Sequence, residues 1–342
     1  MQEMRRSVFD IPIGFTLNSL MWQGNDLIGW ASGGRRIEFT RSVPEIGFAL
    51  GYCVDSAICS EDGQFTVLYE RLGTKAVVLR GHQVLRELNR SYYCADAYEY
   101  PIALSRLKNG RHVIAHCPEE YNILDLEDLE TGESLTPRMG QPDDYFYSRL
   151  RFSPSGERLL SCGWVWHPWN TLTVHGVPEV LESPEKLNST STYGLSLTSE
   201  VQSADFLDDD RLLVAFDLGE DGGEGQYTHL AVIHLPDGRQ DSTVNLPRTT
   251  GTIYVIGDHV LTLYEYPRLY RIASGELIAQ WPEFSTGRQT SSILISEEVP
   301  APFAFDRRGL RFAVAQTDTV TVIELGNSSQ VLDRVLSEKK CS

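Results

Sequence analysis

Short runs in which apolar and polar residues alternate recur along this chain, each interrupted by turn-forming residues. The clearest is RLRFSPSGERLLSCG, residues 149–163. An alternating strand ends in Ser-Pro-Ser-Gly, and a second, more apolar strand follows. Side chains on a strand point to opposite faces in turn, so alternation bounded by such residues predicts a β-hairpin. The same pattern recurs at residues 18–31, 57–69, 103–116, 203–216, 253–264 and 303–315. Seven hairpins are therefore expected, their turns roughly 37 to 54 residues apart.

A third strand and a second turn follow most hairpins. The second turns fall at Arg80-Gly81, Thr131-Gly132, Gly176 to Pro178, Asp237-Gly238, Ser274-Gly275 and Gly326-Asn327, with a less distinct one near residues 42–44. QVLREL (83–88) and STVNL (242–246) have the pattern of fourth strands. Helical periodicity is nearly absent. The exceptions are EVLESPEKL (179–187), which Pro184 breaks, and the tail QVLDRVLSEKK (330–340).

Seven four-stranded repeats of this kind resemble a seven-bladed β-propeller of the WD40 type, whose blades recur about every 40–45 residues. FSPSGERLLS (152–161) and RFAVAQTDTVTVIEL (311–325) are similar to the WD-repeat pattern, and NILDLEDLETGE (122–133) is similar to its blade end, with Asp125 at the Asp of the Trp-Asp pair. Asp318 stands where another blade's structural Asp would fall. No blade carries the Trp-Asp dipeptide, and Gly81-His82 lies between a third and a fourth strand, so the family's His–Asp hydrogen-bond tetrad is not carried over. The resemblance spans nearly the whole chain and implies one all-β domain over residues 1–342, a seven-bladed propeller of four-stranded antiparallel blades. Each blade buries both faces only against its neighbours, and the ring removes long exposed edges. Closure mixes the chain ends in one blade. Residues 7–15 and residues 330–336 both qualify as the closing strand.

Composition narrows the function classes. Apolar residues make up 41% and charged residues 23% of 342, as in folded globular chains. The net charge of −17 repels phosphate backbones, so nucleic acid is not the expected partner and a basic one is. No stretch has the apolar core of a secretion signal or the length of a membrane span, so a cytoplasmic protein with no membrane contact is expected. The six cysteines include no C-x-x-C pair, which predicts free thiols rather than a zinc or redox site.

Candidate chemistry is sparse. His112 and His116 are four apart, but in a strand pattern rather than on a helix, so a structural or surface role is expected. The acidic DLGEDGGEG (217–225) lacks calcium-loop spacing. The chain has no G-x-S-x-G nucleophile elbow, no P-loop and no G-x-G-x-x-G. Asp55 and Asp205 are the inner-strand carboxylates. No catalytic residue, metal or cofactor is therefore assigned.

The loops joining strands two and three, and those leading into strand one, should open on one face of a propeller. Repeats one and two place cations there, in SGGRR (32–36) and ERLGTK (70–75). Repeats three to six place aromatic and acidic groups there: Glu119 and Glu120; Tyr145 and Tyr147; Trp164, Trp166, His167 and Trp169 in CGWVWHPWN; Asp217, Glu220, Asp221 and Glu224; Tyr264 and Tyr266. Trp and Tyr supply large stiff contact area, and cations stack on their rings. Trp164 and Trp166 either pack between blades or face the partner. Pro168 should stiffen a loop that presents Trp169.

The expectation is a monomeric, non-enzymatic propeller that binds a protein or peptide. It would sequester or neutralise a basic cognate partner in the manner of an immunity protein or inhibitor, or act as an adaptor. Two alternatives remain: a propeller hydrolase or lactonase with a metal or carboxylate site at the central channel, and a purely structural role in a larger complex.

Overall fold

The computed structural model describes residues 4–11, 16–32, 35–37, 53–137, 141–166, 169–188, 199–217, 228–294 and 300–326. Among them the strands form seven sheets, four of four strands and three of three strands, and every pairing is antiparallel. Each expected hairpin is present. Examples are Met21–Gln23 with Asp26–Gly29, Ile102–Arg106 with His112–His116, and Glu200–Phe206 with Arg211–Asp217. Where two residues make the turn, at Gly24-Asn25 and Gly257-Asp258, the first must adopt φ near +59°, a conformation glycine takes without a Cβ clash.

The chain divides into two compact parts. Leu50–Pro300 holds the sheets of repeats two to six. Met1–Ala49 together with Ala301–Ser342 holds repeats one and seven. In the latter, Arg5–Asp10 pairs with Thr319–Glu324, from Arg5 opposite Glu324 to Asp10 opposite Thr319. Of the two closing candidates, the N-terminal one supplies the strand, two residues earlier than expected. Residues 330–336 lie outside the described residues. Leu17, Leu20, Trp22 and Leu27 pack with Ala313, Ala315, Val320 and Val322 beside it.

Within Leu50–Pro300 the cores lie between consecutive sheets. Phe65 and Val78 of repeat two meet Ile102 and Ile114 of repeat three. Leu160, Leu172 and Val174 of repeat four meet Val201, Val214 and Ala231 of repeat five. Leu213 and Leu230 of repeat five meet Ile253 and Val260 of repeat six. A strand covered on both faces has no solvent side, which is why the second strands, such as LLVAF (212–216), are continuously apolar rather than alternating. Successive antiparallel meanders stacked face to face make this an all-β propeller.

Repeat four departs from the pattern. In place of a fourth strand, the segment whose sequence carries helical periodicity interrupted at Pro184 forms the helix Val177–Glu182, with Pro178 in its first turn, and a 3-10 turn, Pro184–Asn188, follows. Proline is tolerated there because the first helical N–H groups have no intrahelical acceptor. Val177, Val180 and Leu187 are buried against Tyr147 and Leu159.

Hydrogen bonds also tie the first strands of repeats four to six together. Asp205 Oδ2 accepts the Val255 N–H at 2.7 Å, and Oδ1 accepts the Phe206 N–H at 2.9 Å and pairs with Arg151 at 3.0 Å. Arg151 also donates to the Ile253 carbonyl and lies 4.5 Å over the Tyr254 ring. Gln202 Oε1 accepts the hydroxyls of Thr228 and Thr250, and Arg149 donates to the Gln202 carbonyl.

One buried base carries a pH prediction. Burial in the strand Trp169–Gly176 pushes His175 down to about 4, against a backbone hydrogen bond at Lys186 that works upward. The unfolded chain protonates this residue near its ordinary 6.5, whereas the folded protein resists until about 4. Stability present above pH 6.5 is therefore lost as the pH falls toward 4. Melting temperatures should fall between pH 6.5 and 4.5, a range above the lowered carboxylates such as Asp128 and Glu127. His175→Gln should flatten that slope, and an unchanged slope would refute the assignment.

Candidate partner-binding surface

The strand Arg158–Val165 delivers its tryptophans to one end of repeat four. Trp164 sits opposite Asn170, and the pairing ends with Val165 opposite Trp169. Alternation would put Trp164 and Trp166 on one side. The strand stops between them, and they separate: Trp164 is 3% exposed and Trp166 is 44% exposed. A second backbone reaches Trp164 from the loop before repeat four. Phe146 N–H donates to the Trp164 carbonyl at 2.8 Å, and Trp164 N–H donates to the Phe146 carbonyl at 3.2 Å.

This approach needs a bare backbone at Gly163. A Cβ there would overlap the Phe146 carbonyl oxygen and come within 2.8 Å of the Tyr145 phenol oxygen. Gly163→Ala should cost about 2 kcal/mol, typical of overpacking in a filled site. Denaturant unfolding measures it, and an unchanged midpoint would contradict the packing.

On this frame the rings stack. Phe146 lies on Trp164 with centroids 3.7 Å apart and planes 9° apart, and Tyr121 covers its opposite face at 4.1 Å. Tyr98 meets both Phe146 and Trp164 edge-on. Trp166 stands nearly perpendicular to the stack, 5.2 Å from Trp164 and 5.6 Å from Phe146. Tyr93 packs 5.1 Å from Tyr121 and meets Trp166 at 78° and 6.4 Å. Ile293 packs against the same cluster, its backbone bridged to Tyr98. Six large apolar or aromatic residues are exposed among the described ones, and Tyr92, Tyr93 and Trp166 are three of them. The exposed aromatic surface is thus concentrated where a buried stack holds it rigid.

Carboxylates surround it. Tyr121 donates its hydroxyl to Asp144 Oδ1 at 2.8 Å, and Asn122 donates to the Asp143 carbonyl. Burial, then the Asp144 hydrogen bond, push the Tyr121 phenol up to about 12. Asp96, Glu119, Glu120, Asp143 and Asp144 are all exposed. The four loops concerned, residues 91–97, 117–124, 141–147 and 163–170, contain no Lys or Arg.

Several expected contact residues are displaced by these facts. Tyr145 and Tyr147 are core residues, each 1% exposed, because their phenols are used internally. Tyr145 bonds the Ser161 carbonyl and accepts the Gly163 N–H, while Tyr147 donates to the Leu187 carbonyl. Trp164 is the base of the stack and not a contact surface. Trp169 is not a loop tip, since it begins the strand Trp169–Gly176 and is half-buried opposite Val165. His167, Glu220, Asp221 and Glu224 lie outside the described residues. Asp217 ends a strand, half-buried opposite Glu200. Tyr264 and Tyr266 are half-buried in a different cluster, where the Tyr266 ring lies 3.7 Å from the buried Arg268 guanidinium. Glu119, Glu120 and Trp166 stand exposed as expected. Tyr93, Tyr121 and Phe146 went unrecognised, although SYYCAD (91–96) has the same tyrosine-and-acid composition as QPDDYFYS (141–148).

The other candidates have structural partners. His112 bonds Asp62 at 2.8 Å, and His116 is buried 2.9 Å from Glu127. Asp55 accepts the Arg71 N–H and the Ser56 hydroxyl. Among the described residues no group of three or more His, Cys, Asp or Glu side chains is placed to hold a metal ion, and no helix is long and apolar enough to cross a membrane.

No protein-family model and no curated protein sequence matches this chain. Solved structures do, 779 chains in all, so the likeness is to a widespread architecture. A chain in the crystal structure of mitotic checkpoint complex is similar over 94% of this chain and 91% of its own, with a TM-score of 0.57 and 11% identity. At that identity the similarity speaks for the fold. The class this defines is an all-β propeller, built from antiparallel four-stranded sheets and their shorter variants.

Proposed function

We propose that the protein is a non-enzymatic, seven-bladed interaction propeller that docks a basic protein or peptide on the face formed by Tyr93, Tyr121 and Trp166. The three-stranded sheets count as blades in this reading. The observation that carries it is the coincidence of the exposed rings of Tyr92, Tyr93 and Trp166, with half-buried Tyr121 between them and the stack, and five exposed carboxylates on loops lacking Lys and Arg. Rigid rings give contact area at small entropic cost, and the carboxylates supply complementary charge. The net charge of −17 favours encounter with a basic partner. Sequestration of one cognate basic protein in the cytoplasm, by a monomer, suits this chemistry. Asp205 is held by three donors and Asp55 by two, so neither of the two carboxylates a hydrolase reading would use is unengaged.

The test is affinity for a co-purifying partner identified by mass spectrometry. Tyr93→Ala with Trp166→Ala should weaken binding about 30-fold or more, the effect of losing hot-spot residues. Circular dichroism should stay unchanged. Undiminished affinity would remove this surface as the docking site.

A further inference from the structure

We infer that the group this surface reads is an arginine side chain of the partner, stacked flat on the outer face of Trp166. The inference rests on the reading above that the surface binds a basic partner, and it specifies which cation.

The argument starts from how the ring faces are used. Phe146 has Trp164 on one face and Tyr121 on the other. Those faces are closed to any ligand. Trp166 lies 5.2 and 5.6 Å from two parallel rings and perpendicular to both. Only one arrangement gives centroids that close to both. The inner face of Trp166 spans the edges of Trp164 and Phe146, because edge-to-edge contact would hold the centroids farther apart. The outer face of the indole is therefore the open one, consistent with its 44% exposure. Tyr93, itself exposed, stands at 78° to the indole with its centroid 6.4 Å away.

The open indole face and the exposed Tyr93 ring, 78° apart, make a right-angled shelf rather than a cage closed on several sides. A trimethylated lysine is bound by several ring faces converging on a rounded cation, and here the faces of Phe146, with those of Trp164 and Tyr121 that meet it, are turned on each other. A lysine ammonium is compact and strongly hydrated, and gains little from one flat face. A guanidinium is planar and weakly hydrated. It can stack on the indole while its in-plane N–H groups point outward to carboxylates. Such acceptors stand on the neighbouring loops: Asp144, fixed by the Tyr121 hydroxyl, with Asp143 and Asp96. The absence of Lys and Arg from these four loops means no cation on them competes for the shelf.

The experiment selects binders from a random peptide library displayed on phage, against the full-length protein and against its Trp166→Ala variant. Peptides retained by the first and lost by the second should share an arginine. Replacing that arginine in the best peptide by lysine, trimethyl-lysine or citrulline should weaken binding about tenfold or more in each case. Trp166-dependent peptides that lack arginine, or a trimethyl-lysine form that binds as well as arginine, would overturn the arginine assignment while leaving the docking surface standing. Selection that yields the same peptides with and without Trp166 would overturn both.

Discussion

Trp164→Ala is expected to destabilise the protein by about 3–5 kcal/mol, the usual cost of deleting a large buried aromatic. The residue is 3% exposed, bears the full face of Phe146, and touches Tyr98 and Trp166 edge-on. Its loss would open a cavity that the surrounding backbone cannot close, because the Phe146–Trp164 bridge fixes both strands. Trp166→Ala, two residues on, should change stability by under about 1 kcal/mol, since much of that side chain is already in water. The measurement is urea unfolding of both variants beside binding of the partner. Equal destabilisation by the two would mean that Trp166 is also core and that the exposed shelf does not exist.

The second large effect is expected at Asp205. Asp205→Ala removes the acceptor of two buried backbone N–H groups, Val255 and Phe206, and leaves Arg151 without its carboxylate. Breaking a buried pair and orphaning donors costs about 3 kcal/mol. The partial exposure of Arg151 lets water soften the loss, which argues for the lower end of the usual range. Asp205→Asn should be milder, because the amide oxygen still accepts one N–H. Chemical denaturation separates the two. A neutral Asp205→Ala would show that the inner strands are not stitched through this carboxylate, and would reopen its reading as a functional acid.

Both predictions turn on positions that were visible as residues but not as environments. The hairpins were legible because strand alternation and turn residues act locally, over 10 to 15 residues. The helical periodicity of residues 179–187 was legible too, but not that this segment takes the place of a fourth strand, because that depends on Val177, Val180 and Leu187 packing on Tyr147. The choice of closing strand was open for a similar reason: both chain ends carry a strand-like run. It was decided by pairing with Thr319–Glu324, 309 or more positions away in sequence from Arg5–Asp10.

The candidate surface shows the same division more sharply. That the loops of repeats three and four are rich in aromatics and acids, and that the chain avoids catalytic and metal motifs there, follows from the residues alone. Their exposure does not. Tyr145 and Tyr147 read like surface tyrosines until their phenols are seen bonded to Ser161, Gly163 and Leu187. Tyr93 and Tyr121 looked ordinary until they were brought against Phe146. The sequence by itself determined a β-rich chain of hairpin repeats, its acidity, and CGWVWHPWN as the place to look. Tertiary structure alone decided that Trp164 is buried and Trp166 is not. The physical reason is that strand pairing ends at Val165, while a backbone about 18 residues earlier in the chain lies across Gly163 and turns one ring inward, and local patterning carries no information about that second backbone.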